Sequence, residues 1–149
     1  WIDWSLLEKN KDLFEFFKFM IDYRKKHPVI RKKLDNAVCG MEAMHAHDVN
    51  AERMEVPQNA KTLAVSFAGY DRKKGKDDLV YVAVNAYWEE VKITLPNLAN
   101  HGAWYLSVDT YGDEKGKYFY QEGEEIRIDR EYVMKPRSIV VFTGREILR

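Results

Sequence analysis

One cysteine, Cys39, serves a chain of 149 residues, so no intrachain disulfide framework can staple the fold. A lone thiol is compatible with a reducing compartment. No apolar run approaches the roughly 20 residues that cross a bilayer. Neither sign of charge is in excess, since 24 Lys and Arg balance 24 Asp and Glu. That balance removes any general attraction to nucleic acid or to an anionic membrane surface. The 8 glycines are isolated and build no phosphate-cradling loop. No internal repeat or low-complexity tract is present. The chain opens on Trp1 and carries no signal-peptide pattern, which predicts a processed or excised piece of a longer protein, with the cytoplasm favoured as its compartment.

What is present points to a packed domain. Hydrophobic residues make up 46% and charged residues 32%, a globular balance. Aromatics, at 13%, are enough to fill a core and leave rings over for the surface.

The first segment reads as a single helix from Leu6 to His27. Glu8, Lys11, Glu15, Lys18, Asp22 and Lys25 recur every three or four residues, forming one stripe of alternating sign. Leu6, Leu7, Leu13, Phe14, Phe16, Phe17, Phe19, Met20, Ile21 and Tyr23 cover most of the rest. An ordinary surface helix needs an apolar stripe of roughly 100°, and this arc is wider, so neighbours are expected on two sides. Ser5 and Glu8 have the spacing of a capping box. Arg24 to His27 suit the negative end of the helix dipole, and Pro28 ends the run.

From Val29 to about Ala60 no period dominates, and one or two short strands are expected there, with a domain boundary near Asn36. Beyond Lys61 the pattern becomes that of strands: Thr62–Ala68, Leu79–Ala86, Glu90–Leu95, Trp104–Thr110, Tyr118–Gln121, Glu125–Ile128 and Arg137–Thr143. Gly69–Asp78 reads as a charged hairpin loop. Short strands without intervening helices predict a mainly β fold, an antiparallel β-sandwich preceded by one long amphipathic α-helix. The expected division is residues 1–36 for the helix and linker, and residues 37–149 for the sandwich.

Candidate chemistry is sparse. His45 and His47 would share one face of a strand, as a metal site requires. For want of a third ligand, exposed or hydrogen-bonded side chains are the favoured reading. Cys39 has no base beside it. Asp77–Asp78, Asp113–Glu114 and Glu124–Glu125 fall in turns or at strand edges, where solvated charge is the simpler reading. The basic loop Arg72–Lys76 is flanked by Asp71, Asp77 and Asp78 and reads as a solubilising tip. Neither a catalytic residue, a metal site nor a cofactor is assigned. Tyr87, Trp88 and Trp104 are the candidates for carbohydrate contact, because an exposed ring can lie against the apolar face of a sugar. Core packing is the commoner fate of a tryptophan in a sandwich.

Several segments in order resemble the C-terminal end of α-amylase-superfamily debranching enzymes of the isoamylase and glycogen-debranching type. Trp1-Ile2-Asp3-Trp4-Ser5 looks like the exit from the last barrel strand. Leu13–Phe17 through Arg24-Lys25-Lys26-His27-Pro28-Val29-Ile30-Arg31 looks like the final barrel helix. Asn85-Ala86-Tyr87-Trp88-Glu89-Glu90, Leu95-Pro96, Trp104 with Asp109-Thr110, and Pro136-Arg137-Ser138 before Ile139-Val140-Val141 are similar to landmarks of the all-β C-terminal domain. Between Val38 and Ala60 the match is weakest: Asp48-Val49 is followed by Asn50 where family members often carry a tryptophan soon after. The resemblance implies a non-catalytic fragment of a glycoside hydrolase acting on α-1,6 branches of glycogen or related α-glucans, and inactive alone. It also implies a missing (β/α)₈ barrel as partner of the opening helix and, secondarily, α-glucan. The alternatives are an autonomous carbohydrate-binding module and a small metal-dependent enzyme at His45 and His47. Without a barrel the helix is expected to pack back onto the sandwich and to favour self-association.

Overall fold

The computed structural model describes residues 1–53, 56–99 and 102–145. Two helices, α1 (Leu6–Lys9) and α2 (Lys11–Lys26), lead through a 3₁₀ turn at Pro28–Ile30 into eight strands. These are β1 (Met44–His47), β2 (Thr62–Asp71), β3 (Lys76–Asn85), β4 (Val91–Thr94), β5 (Ala103–Asp109), β6 (Ile126–Ile128), β7 (Glu131–Met134) and β8 (Ser138–Arg145). Six form one sheet in the order β1-β2-β3-β8-β5-β6, and β4 pairs with β7 in a second. Every paired strand is antiparallel, as the strand pattern predicts.

Alternation along the central strands divides the core in two. Leu79, Tyr81 and Ala83 on β3, with Val140 and Phe142 on β8 and Trp104 and Leu106 on β5, join Ile93 and Met134 of the small sheet. Val80, Val108 and Val141 point to the opposite face, where Phe19 and Tyr23 of α2 cover them. A register shift between Leu106 and Val108 marks a β-bulge in β5. There Ser107 and Val108 both reach helix-side partners.

The opening helix needs one correction. It is broken at Asn10, whose backbone leaves the helical region (φ −114°, ψ 36°) and whose side-chain amide donates to the Leu6 carbonyl. No capping box forms. Asp3 captures Ser5 first: its Oδ1 accepts both the Ser5 amide, at 2.9 Å, and the Ser5 hydroxyl, at 2.6 Å. The wide apolar arc is split. Phe16, Phe19, Met20 and Tyr23, spaced three and four apart, pack on the sheet. Leu6, Leu7, Leu13, Phe14, Phe17 and Ile21 remain exposed.

Three other expectations change. The charged stretch Gly69–Asp78 is mostly strand, because β2 and β3 run on to Asp71 and Lys76. The turn itself closes on Gly75, at φ +66°. Tyr118–Gln121 forms only an isolated bridge, Phe119 to Val108, because its rings are engaged beneath α2: Phe119 lies 4.7 Å from Phe19 and Tyr118 lies 5.4 Å from Phe16. Strand β7 was hidden by its charged flanks, Glu131 and Lys135.

Candidate functional site

Tyr87 and Trp88 lie in the turn after β3, held by Asn85. An amide is the one side chain that offers two donors and an acceptor together, and Asn85 uses all three. Its Nδ2 donates to the carbonyls of Glu89 (2.9 Å) and Lys135 (3.0 Å), and its Oδ1 accepts the Tyr87 amide at 3.0 Å. The Arg137 amide donates to the Tyr87 carbonyl at 3.0 Å, tying the turn to the entry of β8. On this base the two rings stack with centroids 4.2 Å apart at 40°. Lys61 Nζ stands 3.9 Å from the Tyr87 ring centre and 5.4 Å from that of Trp88, a cation–π arrangement. Trp88 is 64% exposed. The turn therefore presents a positioned aromatic surface edged by Lys61, Glu89 and the Glu90–Lys135 ion pair.

Trp104 is not part of it. That indole is 2% exposed, packs against Tyr81 at 5.8 Å, and donates from Nε1 to the Pro96 carbonyl at 2.7 Å. A ring enclosed on both faces cannot meet a ligand, so of the three candidates only Tyr87 and Trp88 come together.

His45 and His47 do share a face, with ring centroids 4.8 Å apart. His47 is fully engaged, however. Its Nδ1 donates to the Ala51 carbonyl at 3.1 Å, which leaves Nε2 to accept the Ser66 hydroxyl at 2.8 Å. The lone pair a metal would need is occupied, and burial lowers the pKa of this imidazole. His45 pairs with Glu42 at 3.1 Å. Among the described residues no three His, Cys, Asp or Glu side chains are gathered to hold a metal ion.

The adjacent acids are not merely solvated. Asp77 accepts the amides of Val38 and Cys39, each at 2.8 Å. Asp78 is buried and accepts His27 Nδ1 at 2.6 Å and the Val29 amide at 3.0 Å, fastening the end of α2 to β3. Glu125, its side chain 5% exposed, holds the Arg145 guanidinium. Asp109 accepts the Tyr132 hydroxyl at 2.6 Å, and burial then pushes that phenol well up. These partners lie tens of residues away in sequence, so adjacency alone could not reveal them. Burial also pushes the Cys39 thiol up, away from a reactive thiolate.

Comparison with known proteins agrees with this architecture. A family model described as isoamylase, C-terminal, matches residues 37–143. The protein "Isoamylase 3, chloroplastic" of Oryza sativa subsp. japonica is 28% identical over 108 residues, which cover 72% of this chain and 12% of that relative. The chain thus spans about an eighth of the length of the curated relative it matches. No helix among the described residues is long and apolar enough to cross a membrane. With the family model covering more than half of its length, this chain belongs to the isoamylase C-terminal domain family.

Proposed function

We propose that the chain is the non-catalytic C-terminal portion of a debranching glycoside hydrolase acting on α-1,6 branches of glycogen or a related α-glucan. Its roles are to brace the catalytic barrel and to touch the glucan. The observation that carries this reading is the family match over residues 37–143, joined to a helix whose outer face is left bare. The proposed division, 1–36 and 37–149, is supported by the match beginning at residue 37. In the parent, Leu13, Phe14, Phe17 and Ile21 would pack against the barrel. Glycosidase chemistry needs two carboxylates placed across one bond. Asp78, Glu125, Asp109 and Asp77 are committed instead to His27, Arg145, Tyr132 and backbone amides. A free thiol fits a reducing compartment, and the cytoplasm is our assignment, while the rice relative is by its name chloroplastic.

The purified chain is expected to release no reducing ends from pullulan or glycogen, and repeatable release would overturn the reading. A coding sequence that continues upstream into a (β/α)₈ barrel is also expected.

The exposure of Trp88 beside Tyr87 favours a second reading, an autonomous carbohydrate-binding module. Glycogen cast into a native gel would then retard the chain, and Trp88→Ala would abolish the retardation with an unchanged circular dichroism spectrum. Equal mobility of both proteins with and without glycogen removes the platform.

A further inference from the structure

A cleft of about 620 Å³ runs between the C-terminal half of α2 and the β5–β8 side of the large sheet. It lies near Leu79 at one end of β3, whereas the Tyr87–Trp88 turn follows Asn85 at the other. Six residues of strand separate these points by about 20 Å.

Hydroxyls line the cleft. Thr143 Oγ1 lies 2.8 Å from both Tyr23 Oη and Ser107 Oγ, a three-membered chain that the β5 bulge makes possible. The buried carboxylates of Asp78 and Glu125 border it, each already paired, with His27 and with Arg145. Asp22 and Lys26, one turn apart on α2, pair along one side of the rim at 3.1 Å. A charged ligand reaching Asp78 or Glu125 would have to break one of these pairs, and a buried carboxylate left without its partner is costly; Lys74, Lys76 and Glu122 add charge of both signs to the rest of the lining. An uncharged ligand breaks none. Phe19, Tyr23 and Tyr120 add aromatic wall, and the Gln121 side-chain amide at the rim makes no hydrogen bond to the described residues.

We propose that this cleft is a second carbohydrate site, taking one or two sugar residues of a neutral α-glucan chain. Its volume lies within the roughly 300–1,000 Å³ of small-molecule sites, and sugar hydroxyls both donate and accept as its Ser, Thr, Tyr and Gln groups do. The choice of α-glucan rests on the debranching reading above. The pairing of the buried charges, which favours a neutral guest beside Asp78 and Glu125, does not.

The test is a titration of the ¹⁵N-labelled 149-residue chain with maltotriose at millimolar concentration, following backbone amide shifts. Saturable shifts are expected at Lys26, Gln121 and Glu122. Gln121→Ala, on an exposed turn, should weaken them about tenfold, the worth of one or two lost hydrogen bonds. Trp88→Ala should leave them unchanged. Shifts confined to Ala86–Glu90 would overturn the cleft site and leave glucan contact standing. Silence at both places would overturn both, and shifts at the cleft with inorganic phosphate but not maltotriose would refute a neutral guest.

Discussion

His27 and Asp78 meet at 2.6 Å where α2 ends, and the second oxygen of Asp78 accepts the Val29 amide at 3.0 Å. One buried carboxylate from β3 thereby satisfies an imidazole and a backbone donor of the chain leaving the helix. Asp78→Ala leaves both unpaired and should cost about 3 kcal/mol of unfolding free energy, since each stranded buried donor carries a desolvation penalty. Urea unfolding measures it. A loss under about 0.5 kcal/mol, the scale of an ordinary surface substitution, would mean water replaces the carboxylate.

Phe17 and Phe19, two residues apart and on opposite sides of α2, should separate cleanly. Phe19, 8% exposed and stacked on Phe119, should cost about 3–5 kcal/mol when changed to Ala. Phe17, 59% exposed, should tolerate Ser within about 0.5 kcal/mol while any self-association measured by sedimentation falls. Equal losses at the two sites would mean that Phe17 is covered in solution.

His47 should make stability depend on pH. Burial holds its folded-state pKa below the ordinary imidazole value. The unfolded chain therefore takes up the proton first as pH falls and binds more protons in that window. Stability from this group is complete above about pH 6.5 and declines as pH drops from there toward the lower folded-state value. In a stability–pH comparison, His47→Gln should lack that decline. Parallel curves for the two proteins would assign the acid sensitivity elsewhere.

The Tyr81 hydroxyl is buried without a hydrogen-bond partner among the described residues. Burial also pushes its pKa up. Removing an unsatisfied polar group leaves the surrounding ring packing intact, so Tyr81→Phe should be neutral or stabilising by about 1–2 kcal/mol. Thermal melting decides it, and a clear loss would instead reveal an internal water bound at that oxygen.

The outcome for each segment follows from where its determinants lie. The runs Leu79–Ala86 and Arg137–Thr143 declare β3 and β8 through their apolar centres, Leu79–Ala83 and Val140–Phe142, where the central strands are covered on both faces. The helix declares itself through Phe16, Phe19 and Tyr23, whose spacing is local. Trp88 and Trp104 look alike in sequence and part company in the fold, because only the long-range pairing of β5 with β8 encloses one of them. Asp77 and Asp78 resembled loop charge for the same reason. The amides and imidazole they hold belong to residues about 40 to 50 positions earlier. The Lys61 ammonium over Tyr87 and the cleft beside Tyr23 likewise depend on contacts no local period encodes.

Every residue from Trp1 to Phe14 is exposed, and α2 is fastened only from Phe16 onward. Mechanically this is a cantilever, clamped at the Phe19–Phe119 stack and the Tyr23–Thr143 hydrogen bond and loose at its far end. A load on the tryptophan-bearing tip becomes leverage on that clamp, and the beam yields first at Asn10, where its backbone already leaves the helical region. The exposed outer face of α2 therefore offers a long lever arm on the contacts that hold Phe19 and Tyr23 to the sheet.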